Sequence, residues 1–189
     1  MRRAVFLDRD GTLVEEKHYL AEAGALALYP WTLDALRTLG ETGLALVVLS
    51  NQSGVARGLF DEGAVAAVNA RLASLLAAGG VRLDGVYYCP HLAEGSVPDY
   101  AIDCDCRKPR PGMLDRAARE LDLELPGSWV VGDKPDDLGL AATRGLRALL
   151  VRSGHGAETE AAGAAEGAEQ VLDTLLEAAR VIRDAEVRA

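Results

Sequence analysis

The stretch Asp8-Arg9-Asp10-Gly11-Thr12 places two carboxylates one residue apart, directly after a short apolar run. On an extended turn, one such carboxylate can address an electrophile while the other handles a proton. A carboxylate can attack phosphorus to form an aspartyl-phosphate, which divides a difficult hydrolysis into two steps. The second can protonate the leaving alkoxide and then activate water. The pair is therefore suited to phosphoryl transfer.

Polar side chains also follow two other apolar runs, Ser50-Asn51 after one and Asp133 after the other. A single aspartate after a strand is usually a turn former or a helix cap. Several polar groups at one edge of a parallel sheet indicate a ligand site, because ligands bind at the carboxyl ends of such strands. Asp133 would supply the hard oxygen that Mg²⁺ prefers. Lys108 would offset negative charge on the transferring group, and Ser50 could donate a hydrogen bond to its oxygen.

A second constellation combines Cys89-Pro90-His91 with Cys104-Asp105-Cys106. In an extended chain, residues two apart point to the same side, so each pair can grip one metal ion. Three thiolates and one imidazole fill the four tetrahedral positions of Zn²⁺ and leave none for water, which predicts a structural zinc loop over residues 89–106. The alternatives are a core cysteine near a coincidental histidine, or a disulfide from Cys89 to one partner.

The bulk composition narrows the class of partner. The chain of 189 residues carries a formal net charge of −9, which argues against a nucleic-acid-binding face. The segment Arg107-Lys108-Pro109-Arg110 reverses this charge locally, as an anionic substrate requires. Since no apolar run approaches the ~18 residues of a membrane helix, we expect a cytoplasmic protein without a membrane partner. We also expect a monomer that acts on a small molecule and has no nucleic-acid partner.

The elements that must position these residues alternate along the chain. Apolar, nearly continuous runs are typical of strands covered on both faces, and helical patterns lie between them. The sequence therefore predicts an α/β fold, a parallel sheet flanked by helices in a single domain over residues 1–189. An Ala/Glu-rich segment, 157–169, precedes a predicted C-terminal helix at about 167–186. The predicted strands are Ala4–Leu7, Leu44–Leu49, Val86–Tyr88, Trp129–Val131 and Ala148–Val151.

Four stretches in this order resemble the motifs of the haloacid-dehalogenase-like (HAD) phosphatases. They are Asp8–Thr12, Ser50-Asn51-Gln52, Lys108-Pro109 and Gly132–Asp137. The resemblance implies a modified Rossmann fold and Mg²⁺-dependent phosphomonoester hydrolysis, and the short spacing between motifs leaves no room for a large cap domain. It also implies roles: Asp8 as nucleophile, Asp10 as acid and base, and Asp8, Asp10 and Asp133 as magnesium ligands. Ser50 and Lys108 would stabilise the phosphoryl group, and Asp137 would orient Lys108.

The zinc loop and the stretch Ser50–Gly58 resemble more narrowly the D-glycero-D-manno-heptose-1,7-bisphosphate 7-phosphatases, with similarity over about residues 4 to 152. This resemblance implies a sugar bisphosphate as substrate and Arg107 as a recognition residue, which we expect to hold the distal phosphate. Further substrate-binding residues implied by it are Asn51, Gln52, Ser53, Lys134 and Tyr19. Whether Arg57, Arg110 or His18 contacts substrate is left open, and His155 is expected to be a surface residue.

Other functions are compatible with parts of this pattern. A histidinol-phosphate phosphatase resembles the same family and shares a zinc loop, but the continuation Ser53–Gly58 favours the heptose enzymes. A phosphoacceptor signalling domain carries its aspartate after a central strand of the sequence rather than the first, and lacks a partner like Asp10. A zinc-organised binding domain without turnover would not need Asp8, Asp10, Lys108 and Asp133 together.

Overall fold

The computed structural model describes residues 2–188, in which six strands form one sheet. Every pairing between neighbouring strands is parallel, and the strand order is β3-β2-β1-β4-β5-β6. The predicted α/β fold with a parallel sheet is therefore confirmed. The strands are β1 (Ala4–Leu7), β2 (Ala45–Asn51), β3 (Gly85–Cys89), β4 (Trp129–Gly132), β5 (Arg147–Val151) and β6 (Gln170–Leu172).

Helices cover both faces of this sheet. Apart from a single 3-10 turn at Ala23–Ala25, they are α1 (Thr32–Gly40), α2 (Glu62–Ala78), α3 (Gly112–Glu120), α4 (Pro135–Arg144), α5 (Gly156–Ala161) and α6 (Leu175–Val187). The longest, α2, has 17 residues. Across residues 2–188, no helix combines the length and the apolar character needed to cross a membrane.

Strand β1 shows how the two faces are separated. Its side chains alternate, so that Val5 and Leu7 pack with α1, α2 and α6 on one face, whereas Ala4 and Phe6 pack with α3 and α4 on the other. All four residues are fully buried, as expected for a central parallel strand. Trp129 of β4 lies in the first of these cores.

The central position of β1 places the candidate residues next to one another. Leu7 pairs with Val48 of β2 on one side and with Val131 of β4 on the other. Since the three strands are parallel, they end at the same edge of the sheet. The residues that follow β1 and β4 and those at the end of β2 therefore meet in one crevice.

Residues within the predicted C-terminal helix differ from the expectation. Residues 170–172 form the sixth strand and pair with β5, and the helix begins only at Leu175, after Thr174 accepts a hydrogen bond from the Glu177 N–H. The prediction of a helix at about 167–186 was therefore wrong for its first turns. The physical reason is that the run Val171-Leu172 fits a helix stripe and a short edge strand equally well, and pairing with β5 decides between them.

Candidate active site

Asp8 begins the loop after β1 and is nearly buried. Its backbone N–H donates to the Val131 carbonyl at 3.0 Å, so the sheet itself fixes the start of the loop. Its carboxylate Oδ1 accepts a hydrogen bond from Lys108 Nζ at 2.8 Å. Burial raises the pKa of Asp8, but attraction to Lys108 and Lys134 outweighs it, and the net pKa lies below the ordinary value. Asp8 is therefore held as a carboxylate, the form that a nucleophile needs.

Lys108 reaches this carboxylate from the loop that precedes α3. Its buried ammonium donates to Asp8 Oδ1, to Asp137 Oδ1 at 2.6 Å and to the Leu49 carbonyl at 2.7 Å. Burial lowers the pKa of Lys108, but the two carboxylates raise it well above its usual range. The lysine thus stays charged, with all three of its N–H groups directed at acceptors.

Two further side chains hold Lys108 in place. Asn51 clamps the lysine backbone from both sides, because its Oδ1 accepts from the Lys108 N–H at 3.0 Å and its Nδ2 donates to the Lys108 carbonyl at 3.1 Å. Asp137, at the first turn of α4, also accepts from the Lys134 N–H at 3.2 Å. Burial raises the pKa of Asp137 to about 6 even though Lys108 lowers it.

Asp10 lies two residues beyond Asp8 and is fixed by neighbours on both sides. Gln52 Nε2 donates to Asp10 Oδ2 at 2.8 Å and lies 2.7 Å from Ser50 Oγ. The buried guanidinium of Arg9 donates to both Asp10 oxygens, at 3.0 and 3.2 Å, and to Asn69 of α2 at 2.8 Å. Sequence reasoning overlooked Arg9, although its place between the two aspartates was a signal.

Asp133, fully buried after β4, has the environment of a cation ligand. Its Oδ2 accepts from the His155 N–H at 2.8 Å, whereas its Oδ1 has no hydrogen-bond partner within residues 2–188. Burial and the charge of Asp8 raise the pKa of Asp133 to about 8. Carboxylate oxygens of Asp8, Asp133 and Asp137 lie within 4.8 Å of one another. A hard divalent cation would compensate the orphaned oxygen, so these residues fit Mg²⁺.

Glycine is required where the first loop passes Asp133. Gly11 has a φ of 89°, and a Cβ built there would lie 2.2 Å from Asp133 Oδ2. Both the left-handed backbone and the close approach exclude a side chain at this position. Gly11 therefore allows the backbone of the Asp8–Thr12 motif to pass close to the carboxylate of Asp133.

A cavity of about 400 Å³ opens beside these groups, a size suited to a small ligand. A smaller recess of about 30 Å³ shares Asp10 with the lining of this cavity, and Asp8, Ser50 and Lys108 also line the recess. The larger cavity is lined by all six predicted substrate-binding residues, and also by Arg57 and His18. Those predicted residues are Tyr19, Asn51, Gln52, Ser53, Arg107 and Lys134.

The three arginines in or near the cavity have different contacts. Arg57 lies over the Tyr19 ring, with its guanidinium carbon 5.9 Å from the ring centroid. Arg107 lines the cavity and donates to the His91 carbonyl at 3.3 Å. Arg110 instead donates to the Cys104 carbonyl at 2.6 Å and pairs with exposed Asp103, and it is absent from the cavity lining. Arg57 and Arg107 are therefore better placed than Arg110 to meet a ligand.

The three cysteines and His91 form a compact cluster next to Arg107. The Sγ–Sγ distances are 3.2, 3.3 and 3.5 Å, and His91 Nδ1 lies 3.3 Å from Cys106 Sγ and 3.7 Å from Cys89 Sγ. These separations exceed the ~2.05 Å of a disulfide bond, and all three thiols are free. Burial raises the pKa of the Cys89 thiol. The donor set and spacing fit a tetrahedral Zn²⁺.

Two residues that were not predicted as ligands also line the large cavity, Glu16 and His155. His155 was expected to be a surface residue, but its side chain is only 33% exposed and its backbone contacts Asp133. Neither residue belongs to a periodic pattern. Their position depends on the paths of two loops, which no local sequence signal specifies.

Comparison with known proteins agrees with this architecture. Residues 105–178 match the family described as HAD-hydrolase-like. The D-glycero-beta-D-manno-heptose-1,7-bisphosphate 7-phosphatase of Yersinia pestis is 41% identical over 182 residues, which cover 95% of each chain. The enzyme of the same name from Escherichia coli (strain K12) is also 41% identical, over 95% of this chain and 93% of its own.

A solved structure gives the same result in three dimensions. The D,D-heptose 1,7-bisphosphate phosphatase from B. bronchiseptica, complexed with magnesium and phosphate, superposes with a TM-score of 0.84 at 33% identity, covering 97% of this chain and 99% of its own. Identity of this level over nearly the whole of both chains establishes relatedness in addition to a shared fold. The chain belongs to the HAD-like phosphatases, in the family of the D-glycero-β-D-manno-heptose-1,7-bisphosphate 7-phosphatases.

Proposed function

We propose that this protein hydrolyses the 7-phosphate of D-glycero-D-manno-heptose 1,7-bisphosphate through an aspartyl-phosphate on Asp8. One observation carries the chemical part of the proposal. Asp8 is buried and lines the small recess, where its Oδ1 accepts a hydrogen bond from Lys108 and its Oδ2 accepts no side-chain hydrogen bond within residues 2–188. The relatives named for this substrate, which align with nearly the whole chain, support the choice of sugar.

The proposed reaction has two steps at one phosphorus atom. The free oxygen of Asp8 attacks the phosphorus, and the bond to the sugar oxygen breaks as Asp10 gives that oxygen a proton. Asp10 then takes a proton from water, which attacks the phosphorus and releases phosphate and the Asp8 carboxylate. Arg9 and Gln52 fix the position of the Asp10 carboxylate, which lines the same recess as Asp8.

Lys108 and Ser50 are proposed to stabilise the phosphoryl oxygens. Lys108 supplies a fixed positive charge, and Ser50 Oγ lies in the same recess beside Gln52. Mg²⁺ would be held by Asp8, Asp133 and the backbone carbonyl of Asp10, and when bound it would neutralise phosphate charge. The unpartnered oxygen of Asp133 supports this assignment.

The substrate carries a second phosphate, which we assign to the outer part of the large cavity. Arg107 and Arg57 line the cavity but not the recess around Asp8, as do Ser53 and Tyr19. Arginine binds phosphate through paired, charge-assisted hydrogen bonds, which makes Arg107 the proposed recognition residue. We propose that the monomer is the active form.

The Cys89, His91, Cys104 and Cys106 cluster is proposed to hold a structural Zn²⁺. Four protein ligands leave no position for water or substrate. The hydrogen bond from Arg107 to the His91 carbonyl links the cluster to the cavity. Zinc would therefore fix the position from which Arg107 reaches the distal phosphate.

A comparison of substrates tests the proposal. We expect kcat/KM for the heptose 1,7-bisphosphate to exceed that for other sugar phosphates and for histidinol phosphate, with turnover lost when Mg²⁺ is chelated. A preference of about 100-fold for histidinol phosphate would instead indicate a histidinol-phosphate phosphatase. Absence of turnover on every phosphomonoester, with Mg²⁺ present, would favour a non-enzymatic binding role instead.

A further inference from the structure

Glu16, His18 and His155 form a cluster at the large cavity that the proposed reaction does not use. All three side chains line the cavity, and one ligand atom from each lies within 4.8 Å of the other two. Glu16 Oε2 is 3.5 Å from His155 Nε2, and the two imidazole rings are 6.2 Å apart between centroids. The cluster thus gathers two imidazoles and one carboxylate around a common point.

The ring of His155 is oriented as metal-binding histidines usually are. Its Nδ1 contacts the Glu158 carboxylate of α5 at 3.2 Å, which leaves Nε2 directed at Glu16. Histidines that ligate metals commonly give their second ring nitrogen to a carboxylate, because this contact fixes the ring and raises the basicity of the ligating nitrogen. This contact is independent of the clustering itself.

A local turn brings Glu16 and His18 to the same side. The Glu16 carboxylate accepts a hydrogen bond from the His18 N–H at 2.9 Å. His18 and Tyr19 both have positive φ angles, 45° and 67°, although neither is glycine. The turn therefore places the exposed imidazole of His18 over the carboxylate two residues before it.

We propose that Glu16, His18 and His155 form a second metal site, which binds a transition ion of the Zn²⁺ class. Two histidines and one glutamate are a donor set found in zinc sites that keep a position open, and this position would face the cavity. Mg²⁺ prefers oxygen ligands, so the site is distinct from the carboxylates around Asp8. Tetrahedral ligands of Zn²⁺ are separated by about 3.3 Å, which a rotation of the exposed His18 side chain can reach.

The charges around the cluster determine how tightly it should bind Zn²⁺. Lys134 Nζ lies 3.4 Å from Glu16 Oε2 and opposes a cation there. The same lysine is also attracted by Asp8 and Asp133, which share its charge. The second site should therefore bind Zn²⁺ more weakly than the cysteine cluster, whose thiolates carry more negative charge. Zinc is expected to fill the two sites in sequence, the cysteine cluster first.

A calorimetric titration of Zn²⁺ into full-length protein that already holds one zinc per chain, with Mg²⁺ present, tests the proposal. We expect the wild type to bind one further ion, and the double variant His18→Asn/His155→Asn to bind none. Asparagine tolerates a positive φ at position 18 and is a favourable helix cap at position 155, so both replacements preserve the fold. Lys17→Ala, which alters the same turn without removing a ligand, should leave the second binding event unchanged.

Two further measurements distinguish this site from the cysteine cluster. Glu158→Gln should weaken the second binding event by about tenfold, because it removes the carboxylate behind His155. Co²⁺ bound as the second ion should add no thiolate charge-transfer absorption. The proposal is overturned if the wild type binds no second ion, if the double variant binds it with unchanged affinity, or if the second Co²⁺ carries thiolate absorption.

Discussion

Asp8 and Lys108 form a buried ion pair, and the two side chains differ in the number of their other hydrogen-bond partners. Lys108 has two further acceptors, Asp137 and the Leu49 carbonyl, whereas Asp8 Oδ2 accepts no side-chain hydrogen bond from the described residues 2–188. Removing one partner of a buried ion pair usually lowers the free energy of unfolding by several kcal/mol. Here the remaining acceptors of Lys108 limit that loss, so the role of Asp8 in chemistry can be separated from its role in stability.

The first prediction concerns Asp8→Asn. We expect kcat to fall by at least about 10⁴-fold, because the amide oxygen is a poor nucleophile. The melting temperature should stay near that of the wild type, because Lys108 keeps its other acceptors and the repulsion between positions 8 and 133 is relieved. Steady-state kinetics and thermal unfolding measure the two effects. Asp34→Asn, an exposed replacement of the same type on α1, serves as the control, and retained turnover in Asp8→Asn would reject the nucleophile.

Arg107 and Arg110 provide a matched pair for the second prediction. Arg107→Ala should lower kcat/KM for the 1,7-bisphosphate by about 10- to 100-fold, the effect of losing charge-assisted hydrogen bonds to the distal phosphate. The heptose 7-phosphate, which lacks that group, should be affected far less. Arg110→Ala should change neither value appreciably, because Arg110 contacts Asp103 and the Cys104 carbonyl. If kcat/KM fell equally for the two substrates, Arg107 would not be the residue that recognises the distal phosphate.

Among the elements, the loop over residues 89–106 is the one whose order should depend on a bound metal ion. It contains neither a helix nor a strand beyond the end of β3, and a cluster of three thiols and one imidazole joins its two ends. Zinc bound there would couple metal binding to loop ordering, so the binding free energy would contribute to the stability of the folded state. The loop also holds Arg107 through the His91 carbonyl.

Cys106→Ala tests this coupling. We expect zinc content to fall and the melting temperature to drop by about 10 °C, as loss of a tightly bound ligand predicts for a chain of this size. Metal analysis and thermal unfolding are the measurements. Asp105→Asn, an exposed change between the two cysteines, should affect neither. Full zinc occupancy in Cys106→Ala would show that the proposed ligand set is wrong.

The elements also show which features could be predicted from sequence. The residues at the ends of β1, β2 and β4 could be predicted to meet because parallel strands share one edge, and their side chains do line one crevice. The sixth strand could not, since Val171 and Leu172 fit two periodicities and only pairing with β5 distinguishes them. Glu16 and His155 reach the cavity through loop paths that have no periodic signal.

On the scale of the whole molecule, the fold concentrates negative charge at the edge where it must bind an anion. Asp8 and Asp133 are both buried there, and burial together with Asp8 raises the pKa of Asp133 to about 8. Lys108 and Lys134 compensate part of this charge. A divalent cation would compensate the rest, so the stability of the native state should depend on Mg²⁺.

Thermal unfolding with and without Mg²⁺ measures this dependence. Saturating Mg²⁺ should raise the melting temperature of the wild type by about 5 to 10 °C, because it binds the native state alone. Asp133→Asn should melt no lower than the metal-free wild type, since the neutral amide avoids the cost of a buried charge at this position, and it should lose the rise caused by Mg²⁺. A full Mg²⁺-induced rise in this variant would exclude Asp133 as a ligand.

The central claim is that Asp8 carries the phosphoryl group during turnover. A crystal structure of the protein with Mg²⁺ and beryllium fluoride, a mimic of the phosphoryl group, tests it most directly. We predict beryllium at bonding distance from Asp8 Oδ2, the oxygen that Lys108 leaves free, with fluorines directed at Lys108 and Ser50. A fluoride complex bound elsewhere in the cavity, with Asp8 unmodified, would contradict the mechanism.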